Sequence, residues 1–469
     1  MIEYTLFPGE VIVNERRVLE ENDSIFDPTQ RPDLDIAINM IIGTQGGYNI
    51  PFASVTIDRH KSLPGQNLFE CLFGRDSLLV ADLLRFKRPE LQLEVVKALA
   101  AVQGEKFDVF SEEEPGRMAH EVREVDDPVA QKISADANWK FPYYGAVDTT
   151  LIWLKNLREL AEQDPTVLKI EINGQTLQER AISALNWILF RLKTPSGLIE
   201  SKRSNPQGIT NQVWKDSGDS YMHSDGRIAS NTSTASIETV AETYDALQAA
   251  IALAKLSPDL TWPLTEAELL GICQSLQKKL IRYMWVDDHF AIGTDRDDEG
   301  RQQPIDSQAS NQGRLLDSDI LSAPEFKMYR DAIATALVSP GLLGETGLRT
   351  LSADHPKYRA GGYHTGTAWP MDGVFAARGL QKFGYSDEAM AIALRIKKAI
   401  ESIGGYPEYF RSDWPEGPLI SHFIVDVVSP DNPDALASNR IIQPPQLIQG
   451  WTIGAYAWLM ENFPSQQRK

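Results

Sequence analysis

Cysteine is scarce and long apolar runs are missing in this chain of 469 residues. The two cysteines, Cys71 and Cys273, lie in apolar stretches, which predicts reduced thiols and a cytoplasmic compartment rather than a disulfide-linked secreted domain. The N-terminal residues show no basic stretch followed by an apolar one, so we expect no signal peptide. No run of about 18 apolar residues occurs, so no membrane-spanning helix is predicted.

Positive charge is also in short supply. The chain carries 46 Lys and Arg against 65 Asp and Glu, which gives a net charge of −19. Nucleic acids and anionic membranes require a basic surface, so this balance argues against either as a partner. A neutral small molecule or a neutral polymer is a better partner for such an acidic chain. The composition does not determine the oligomeric state, and it allows a homo-oligomer.

Several signatures of common enzyme classes are missing from the sequence. There is no Walker A motif, no GxGxxG after a strand and no GxSxG nucleophile elbow. The seven histidines are scattered and form neither HExxH nor a Cys/His cluster, so no zinc site is expected. The acidic segment 294–300 lacks EF-hand spacing, which favours a solvated loop over a calcium site. We therefore expect neither a metal ion nor a cofactor.

Helical periodicity dominates the chain from about residue 75 onward. Leu151, Leu154 and Leu157, for example, share one face of a predicted helix. Strand patterns are few, and KIEI at 169–172 is the best of them. The predicted helices cover 76–87, 89–103, 148–160, 181–192, 234–256, 264–285, 325–338, 370–384, 386–403 and 445–462, and two more are expected between 40 and 75 or within 305–322.

An all-α fold built from many helix pairs can be an open solenoid or a closed toroid. A solenoid predicts a sequence repeat of about 34–47 residues, and the chain shows none. The connectors 104–146 and 286–324 are rich in Gly, Pro and Asp, and loops of that length are usually functional. We therefore predict an N-terminal arm of residues 1–38, followed by a closed helical toroid of residues 39–469 with long loops on one rim.

Two segments with carboxylates are the strongest candidates for chemistry. In NQVWKDSGDS, Asp216 and Asp219 lie near Trp214, and a carboxyl beside a tryptophan can be desolvated enough to hold a proton and act as a general acid. A solvated turn or a helix cap explains the same residues. In GGYPEYFRSDWPEG, Glu408 lies among aromatic residues that can stack on sugar faces, although an ordinary turn has the same composition.

Three further regions combine polar and aromatic residues at the edges of predicted helices. They are FGRDS, EPGRMAHEVRE together with FPYYGAVDTT, and GYHTGTAWPMDG. In FGRDS, an ion pair between Arg75 and Asp76, or a carboxylate at the start of a helix, explains these two residues without a role in a site. Such clusters at intervals are what a helical toroid with its site on one rim would produce. The residues singled out are Arg75, Asp76, Tyr144, Asp148, His364, Trp369 and Asp372.

Eight segments in order along the chain resemble the amylo-α-1,6-glucosidase, or glycogen-debranching-type, glycoside hydrolases. In chain order they are FGRDS, EPGRMAHEVRE, PYYGAVDTT, NQVWKDSGDS, GETGLRTLS, YHTGTAWPMDG, GYPEYF and PPQLIQGWTIGA, and the resemblance covers roughly residues 40–463. The resemblance implies an (α/α)6 barrel like that of glucoamylase. It also implies an inverting, exo-acting hydrolase that releases glucose from an α-glucoside without a cofactor. In such enzymes an acid protonates the leaving oxygen while a base activates water on the opposite face.

The resemblance implies roles for individual residues. Asp216 is the expected general acid, with Asp219 as the near alternative, and Glu408 is the expected general base. The substrate-binding residues that we expect are Arg75, Asp76, Tyr144, Asp148, Trp214, Asp219, His364, Trp369, Asp372 and Gln446.

Two departures from the resemblance bear on the substrate. Members that act on branched polymers carry an N-terminal β-sandwich, whereas about 40 residues precede the resemblance here. We therefore expect a small α-glucoside of glycerol, glycerate or another sugar, with the branch stubs of limit dextrin as the alternative. Trp414, which follows Glu408, could wall off the acceptor side of the pocket. A non-catalytic sugar-binding protein is the alternative of another class, and it predicts the loss of Asp216 or Glu408.

Overall fold

The fold is helix-rich. The computed structural model describes residues 27–55, 69–229, 233–420, 423–429, 432–443 and 445–464. The α-helices of those residues are α1 (Leu34–Ile41), α2 (Gly74–Leu84), α3 (Glu90–Ala101), α4 (Pro128–Ala137), α5 (Thr149–Gln163), α6 (Leu177–Arg191), α7 (Ile237–Leu256), α8 (Glu266–Met284), α9 (Gly313–Asp317), α10 (Lys327–Leu337), α11 (Pro370–Lys382), α12 (Ser386–Glu401) and α13 (Gly450–Asn462).

Short strands lie between the helices and mostly form antiparallel pairs of neighbours in sequence. Ala235–Ser236 is an exception, since it joins the hairpin of Gly293–Arg296 and Gln302–Ile305 to make three strands. The other described strands are Ile42–Gln45, Tyr48–Pro51, Leu72–Phe73, Glu121–Val122, Glu171–Ile172, Gln175–Thr176, Trp285–Val286, His289–Phe290, Leu343–Gly344, Gly347–Leu348, Phe423–Ser429 and Asn432–Gln443.

Local signals in the sequence explain where several helices begin. α6 and α8 both start with a capping box, in which Thr176 pairs with Glu179 and Thr265 with Glu268. α11 has Pro370 at its first position, where a missing N–H costs nothing. All ten helices predicted individually are present, with ends that differ from the predicted ones by a few residues.

Six helices contact one another in a closed cycle. α2 packs on α5, α5 on α7, α7 on α9, α9 on α11, α11 on α13, and α13 packs back on α2. The helices between them in sequence lie outside this cycle: α3, α6, α8, α10 and α12 each pack on cycle members, and α1 packs on α13. Apart from α4, the chain from α2 onward therefore alternates between a helix of the cycle and a helix that packs on it.

The structure corrects the sequence-based expectations at three places. Helix α4 lies inside the connector 104–146, which was expected to be a loop, because Asp127 caps a proline-led turn there. Of the predicted strand at 169–172, Glu171–Ile172 alone is a strand. The long hairpin of Phe423–Ser429 and Asn432–Gln443 was not predicted at all.

Of the two helices expected between 40 and 75 or within 305–322, the five-residue α9 lies in the second range, whereas α1 ends at Ile41, at the very start of the first. The predicted domain boundary at residue 38 falls within α1. Most of the predicted N-terminal arm, residues 1–26, lies outside the described residues.

Candidate active site

Residues from segments far apart in sequence line one pocket. The pocket lies where cycle helices begin, because Arg75 and Asp76 occupy the first turn of α2, while Trp369 and Gln449 directly precede α11 and α13. Its wall consists of Ala53, Phe69, Phe73, Arg75, Asp76, His120, Trp214, Asp216, Tyr363, Trp369, Glu408, Gln446, Gln449 and Trp451.

Backbone pairing between three segments brings Glu408 to the pocket. The N–H of Glu408 donates to the carbonyl of Gln446 at 2.8 Å. Two residues later, Phe410 and Ala368 exchange N–H to carbonyl bonds of 2.9 Å each. The segment around Glu408 is therefore held between the segment that carries Gln446 and the one that carries Trp369.

The carboxyl group of Glu408 is held in a fixed orientation. The hydroxyl of Tyr363 donates to Oε1 at 2.7 Å, and the N–H of Gln446 donates to Oε2 at 3.4 Å. Burial raises the pKa of Glu408 to about 7, while these two donors lower it and the charge of Asp216 raises it. A carboxylate with a pKa near neutrality is a stronger base than one with an ordinary pKa.

A buried ion pair supports the α2 side of the pocket. Nε of Arg75 lies 2.7 Å from Oδ2 of Asp148, and both side chains are 4% exposed. The next residue, Asp76, is buried in the wall, and burial raises its pKa to about 7. Arg75 opposes that rise, whereas the charges of Asp216 and Glu408 add to it. Three carboxyl groups of the wall are thus close enough to influence one another.

Asp216 lies in a segment whose other side chains hold it in place. The ammonium group of Lys215 donates to Oδ1 of Asn311 and, at 2.7 Å, to the carbonyl of Thr350. The side chain of Ser220 donates to the carbonyl of Lys215 at 2.6 Å. Asp216 is half-buried and lines the pocket, while Lys215 is buried.

Among the described residues, three polar atoms of the pocket wall are buried without a hydrogen-bond partner. They are Nδ1 of His120, Oε1 of Gln449 and Nε1 of Trp451. A buried polar atom without a partner is costly, so these atoms are available to the hydroxyl groups of a ligand. The large aromatic rings of Trp214, Trp369 and Trp451 provide apolar surface in the same wall.

The profile of the mannosylglycerate hydrolase MGH1-like glycoside hydrolase domain family matches residues 150–417, more than half of the chain. The chain belongs to this family. The match supports the glycoside hydrolase class that the sequence motifs indicated, and it does not single out the amylo-α-1,6-glucosidase type. No curated protein matches the sequence.

Solved structures show the same fold at low sequence identity. One is the GH63 mannosylglycerate hydrolase from Thermus thermophilus in complex with Tris and D-glycerate, with 13% identity and a TM-score of 0.56 over 91% of this chain and 98% of that one. The complex of the same enzyme with glucose has 13% identity and a TM-score of 0.57 over 92% and 99% of the two chains. At this identity the similarity concerns the fold.

Seven of the residues singled out from the sequence line the pocket. They are Arg75, Asp76, Trp214, Asp216, Trp369, Glu408 and Gln446. Asp148 does not line it, but it binds Arg75, which does.

Asp219 and His364 are outside the pocket wall and belong to a hydrogen-bond chain. The hydroxyl of Ser217 donates to Oδ1 of Asp219 at 2.8 Å and lies 2.8 Å from Nδ1 of His364. The ring of His364 stacks on Trp369 and meets Trp214 edge-on. His364 therefore contacts two tryptophans of the pocket wall, and Asp219 is connected to His364 through Ser217, in the segment that carries Asp216.

Three other expectations fit the pocket less well. The hydroxyl of Tyr144 donates to the carbonyl of Val102 at 2.7 Å, and the residue is not in the wall. Asp372 is buried in the first turn of α11, where burial raises its pKa and Lys215 lowers it. The ring of Trp414 lies under the ammonium group of Lys398 on α12, and Trp414 is not in the pocket wall.

The sequence reasoning missed several wall residues. Tyr363 directly precedes His364, and Gln449 and Trp451 follow Gln446 within a few residues. Their closeness in sequence to residues already predicted for the site could have identified them. Phe69 and Phe73 carried no signal beyond their aromatic character. In the described part of the chain, no three or more His, Cys, Asp or Glu side chains are grouped to hold a metal ion. No helix there is both long and apolar enough to span a bilayer.

Proposed function

We propose that this protein is an inverting, exo-acting glycoside hydrolase that releases a terminal hexose, glucose in our expectation, from a small α-glycoside. The observation that carries the proposal is the meeting of Asp216 and Glu408 in one aromatic-walled pocket. A non-catalytic sugar-binding protein would have no need for both carboxyl groups there. The family match to glycoside hydrolases supports a hydrolytic role.

In the proposed reaction, Asp216 is the general acid and Glu408 the general base. Asp216 gives its proton to the glycosidic oxygen as the bond from that oxygen to the anomeric carbon breaks. A water molecule forms the new bond to the anomeric carbon from the opposite face and passes its proton to Glu408. The hydrolysis thus yields a free alcohol and a hexose of inverted anomeric configuration, and proton exchange with solvent restores both carboxyl groups.

The surroundings of each carboxyl group support these roles. Glu408 accepts hydrogen bonds at both of its oxygens, an arrangement that favours the ionised form that a base needs. Asp216 follows Lys215 and lies two residues after Trp214, whose ring lines the pocket. Arg75 and Asp76, with the unpartnered atoms of Gln449 and Trp451, are our proposed contacts to the hydroxyl groups of the terminal sugar.

We further propose that the cycle of six helices is the inner ring of an (α/α)6 barrel, with the pocket at its loop-bearing end. The closed cycle of contacts, with further helices packed on its members, supports this arrangement. The two buried thiols, Cys71 and Cys273, support a reducing cytoplasmic setting. A small glycoside is our proposed substrate, with the branch stubs of a limit dextrin as the alternative.

The decisive experiment is proton NMR of the purified enzyme acting on a panel of α-glucosides and α-mannosides. The first product should be the β-anomer of the released hexose, and a first-formed α-anomer would contradict the inverting mechanism. Asp216→Asn and Glu408→Gln should each lower kcat by about 10³-fold or more. The matched controls are Asp225→Asn and Glu416→Gln, two exposed acids within ten residues of Asp216 and Glu408 in sequence, which should keep wild-type rates.

A further inference from the structure

Glu112 is a buried residue in an unusual backbone conformation. It is 1% exposed, and its φ angle of 56° lies in the left-handed region that residues with a Cβ atom seldom adopt. Such a conformation is unfavourable, so it persists where the surrounding contacts stabilise it. Gly208 leaves room for the Glu112 side chain, because a Cβ atom at Gly208 would lie 2.0 Å from Oε1 of Glu112.

The carboxyl group of Glu112 accepts three hydrogen bonds. The hydroxyl of Tyr143 donates to Oε1 at 3.1 Å. Nε2 of Gln212 donates to Oε2 at 2.6 Å, and the backbone N–H of Ser204 donates to the same oxygen at 3.2 Å. Glu112 is therefore attached to the segment that leads into Asp216, about 100 residues further along the chain.

The side-chain amide of Gln212 is held at both of its ends. Its Nε2 donates to Glu112, and its Oε1 accepts from Nη2 of Arg117 at 2.8 Å. Nη1 of Arg117 also donates to the backbone carbonyl of Glu112 at 2.9 Å, and all three residues are buried. The reverse orientation of the amide would place its NH2 group against a guanidinium group and its oxygen against a carboxyl group, so one orientation satisfies both partners. We call Glu112, Gln212 and Arg117 the amide clamp.

The backbone of Gln212 connects the amide clamp to both sides of the pocket. The carbonyl of Gln212 accepts from the N–H of Val147 at 2.8 Å. The next residue, Asp148, binds Arg75 of the pocket wall. In the other direction, Asp216 follows Gln212 by four residues. A displacement of Gln212 would therefore displace the wall residue Asp216.

We propose that the amide clamp positions the general acid, so that the proton of Asp216 meets the glycosidic oxygen as the bond breaks. This inference rests on the proposed function, because it concerns the acid of the same site. The clamp residues do not line the described pocket, so they are positioning residues that act through the segment they hold. Geometry of this kind is decisive for proton transfer, since a small misplacement of a catalytic group is costly.

The test compares two leaving groups that differ in their need for an acid. The alcohol of 2-O-α-glycosylglycerol leaves with a proton from the acid, whereas the fluoride of an α-glycosyl fluoride leaves with its electron pair as a weakly basic anion. In both reactions water forms the new bond to the anomeric carbon and Glu408 accepts its proton. The glucosyl and mannosyl forms of both substrates are measured, so that the preference for the terminal hexose does not affect the comparison.

Gln212→Glu places a second carboxyl group against that of Glu112. We expect it to lower kcat/KM about 30–100-fold for the glycosylglycerol and by no more than about threefold for the glycosyl fluoride. The quotient of the two losses does not depend on the fraction of folded protein. A quotient above about tenfold supports the clamp, and a smaller one overturns it.

A double variant tests the pairing within the clamp. In Gln212→Glu/Glu112→Gln, the amide at position 112 can donate to the carboxyl group at position 212, which reverses the hydrogen bond. The double variant should recover about tenfold or more of the kcat/KM that Gln212→Glu loses on the glycosylglycerol, and a smaller recovery contradicts the pairing. Gln207→Glu, an exposed position five residues before Gln212, is the matched control and should keep wild-type values for both substrates.

Failure of the proposed function would be recognised separately with Asp216→Asn. If the wild type cleaves none of the substrates, or if Asp216→Asn lowers kcat/KM equally for both leaving groups, the proposed reaction fails and not the clamp. Crystal structures then decide the inference. A carboxyl group of Asp216 that moves by about 1 Å or more in Gln212→Glu and returns in the double variant supports the clamp, and an unmoved one overturns it.

Discussion

The hydroxyl of Tyr363 donates a 2.7 Å hydrogen bond to Oε1 of Glu408, across 45 residues of sequence. A hydrogen bond to a carboxylate stabilises its ionised form. The bond therefore lowers the pKa of Glu408 against the burial that raises it to about 7. Tyr363 thus orients the proposed base and favours its ionised form.

Replacing Tyr363 by Phe should shift the acidic limb of the pH–rate profile to higher pH. Without the donor the pKa of Glu408 rises, so more of the base is protonated at pH 7 and kcat/KM falls there by about tenfold. The profile of kcat/KM between pH 5 and 9 checks this prediction. Tyr358→Phe is the control, since the hydroxyl of Tyr358 contacts Ser412 instead of the pocket. An unchanged limb in Tyr363→Phe would show that the bond does not control the base.

Removing the charge of Glu408 should stabilise the fold at neutral and alkaline pH. The folded-state pKa is raised to about 7, so the carboxyl group is protonated in the folded protein below that pH, and its ionisation at higher pH destabilises the fold. Glu408→Gln should therefore increase the free energy of unfolding by about 3 kcal/mol at pH 8, and the gain should vanish as pH falls to about 4. Thermal unfolding at several pH values tests this. A gain that is independent of pH would indicate a packing effect.

Lys215 should be important for the rate even though it is not in the pocket wall. Its ammonium group, buried and bound to Asn311 and Thr350, attaches the segment of Asp216 to two distant parts of the chain. Lys215→Met should lower kcat by about 10–100-fold with little change in KM, because small displacements of a catalytic group are costly. Kinetics with circular dichroism checks this, and Lys202→Met, at an exposed position, is the control. Wild-type kcat in a folded Lys215→Met protein would contradict a positioning role.

Gly74 starts the helix that carries Arg75 and Asp76, and we expect that it does not tolerate a larger residue. A Cβ atom there would lie 2.2 Å from the carbonyl oxygen of Ala119 and 2.6 Å from Cγ2 of Thr149. Gly74→Ala should therefore destabilise the protein by about 2 kcal/mol or more and reduce activity. Gly271→Ala is the matched change in an exposed helix position with open space around it, and it should stabilise by up to about 1 kcal/mol. Denaturant unfolding of both variants decides the matter.

Much of the helical framework was predictable because its signals are local. Apolar residues spaced for one helix face, as in Leu151, Leu154 and Leu157, lie within a few turns of one another. Glu408 could be recognised in the same way, since its aromatic neighbours are adjacent in sequence. The helix α4 escaped prediction because its ten residues lie in a connector rich in turn-forming residues.

The pocket itself depends on contacts that leave no local trace. Asp216 and Asp219 are three residues apart, and the sequence left Asp219 as the alternative to Asp216. The turn between them places Asp216 in the wall and directs Asp219 to Ser217. Tyr363 reaches Glu408 because Ala368 and Phe410 pair through their backbones. The chain thus encodes its helices and its candidate acids in short stretches. Packing between segments that are far apart in sequence decides which acids face the pocket and which donors reach them, because burial and backbone pairing fix the geometry there.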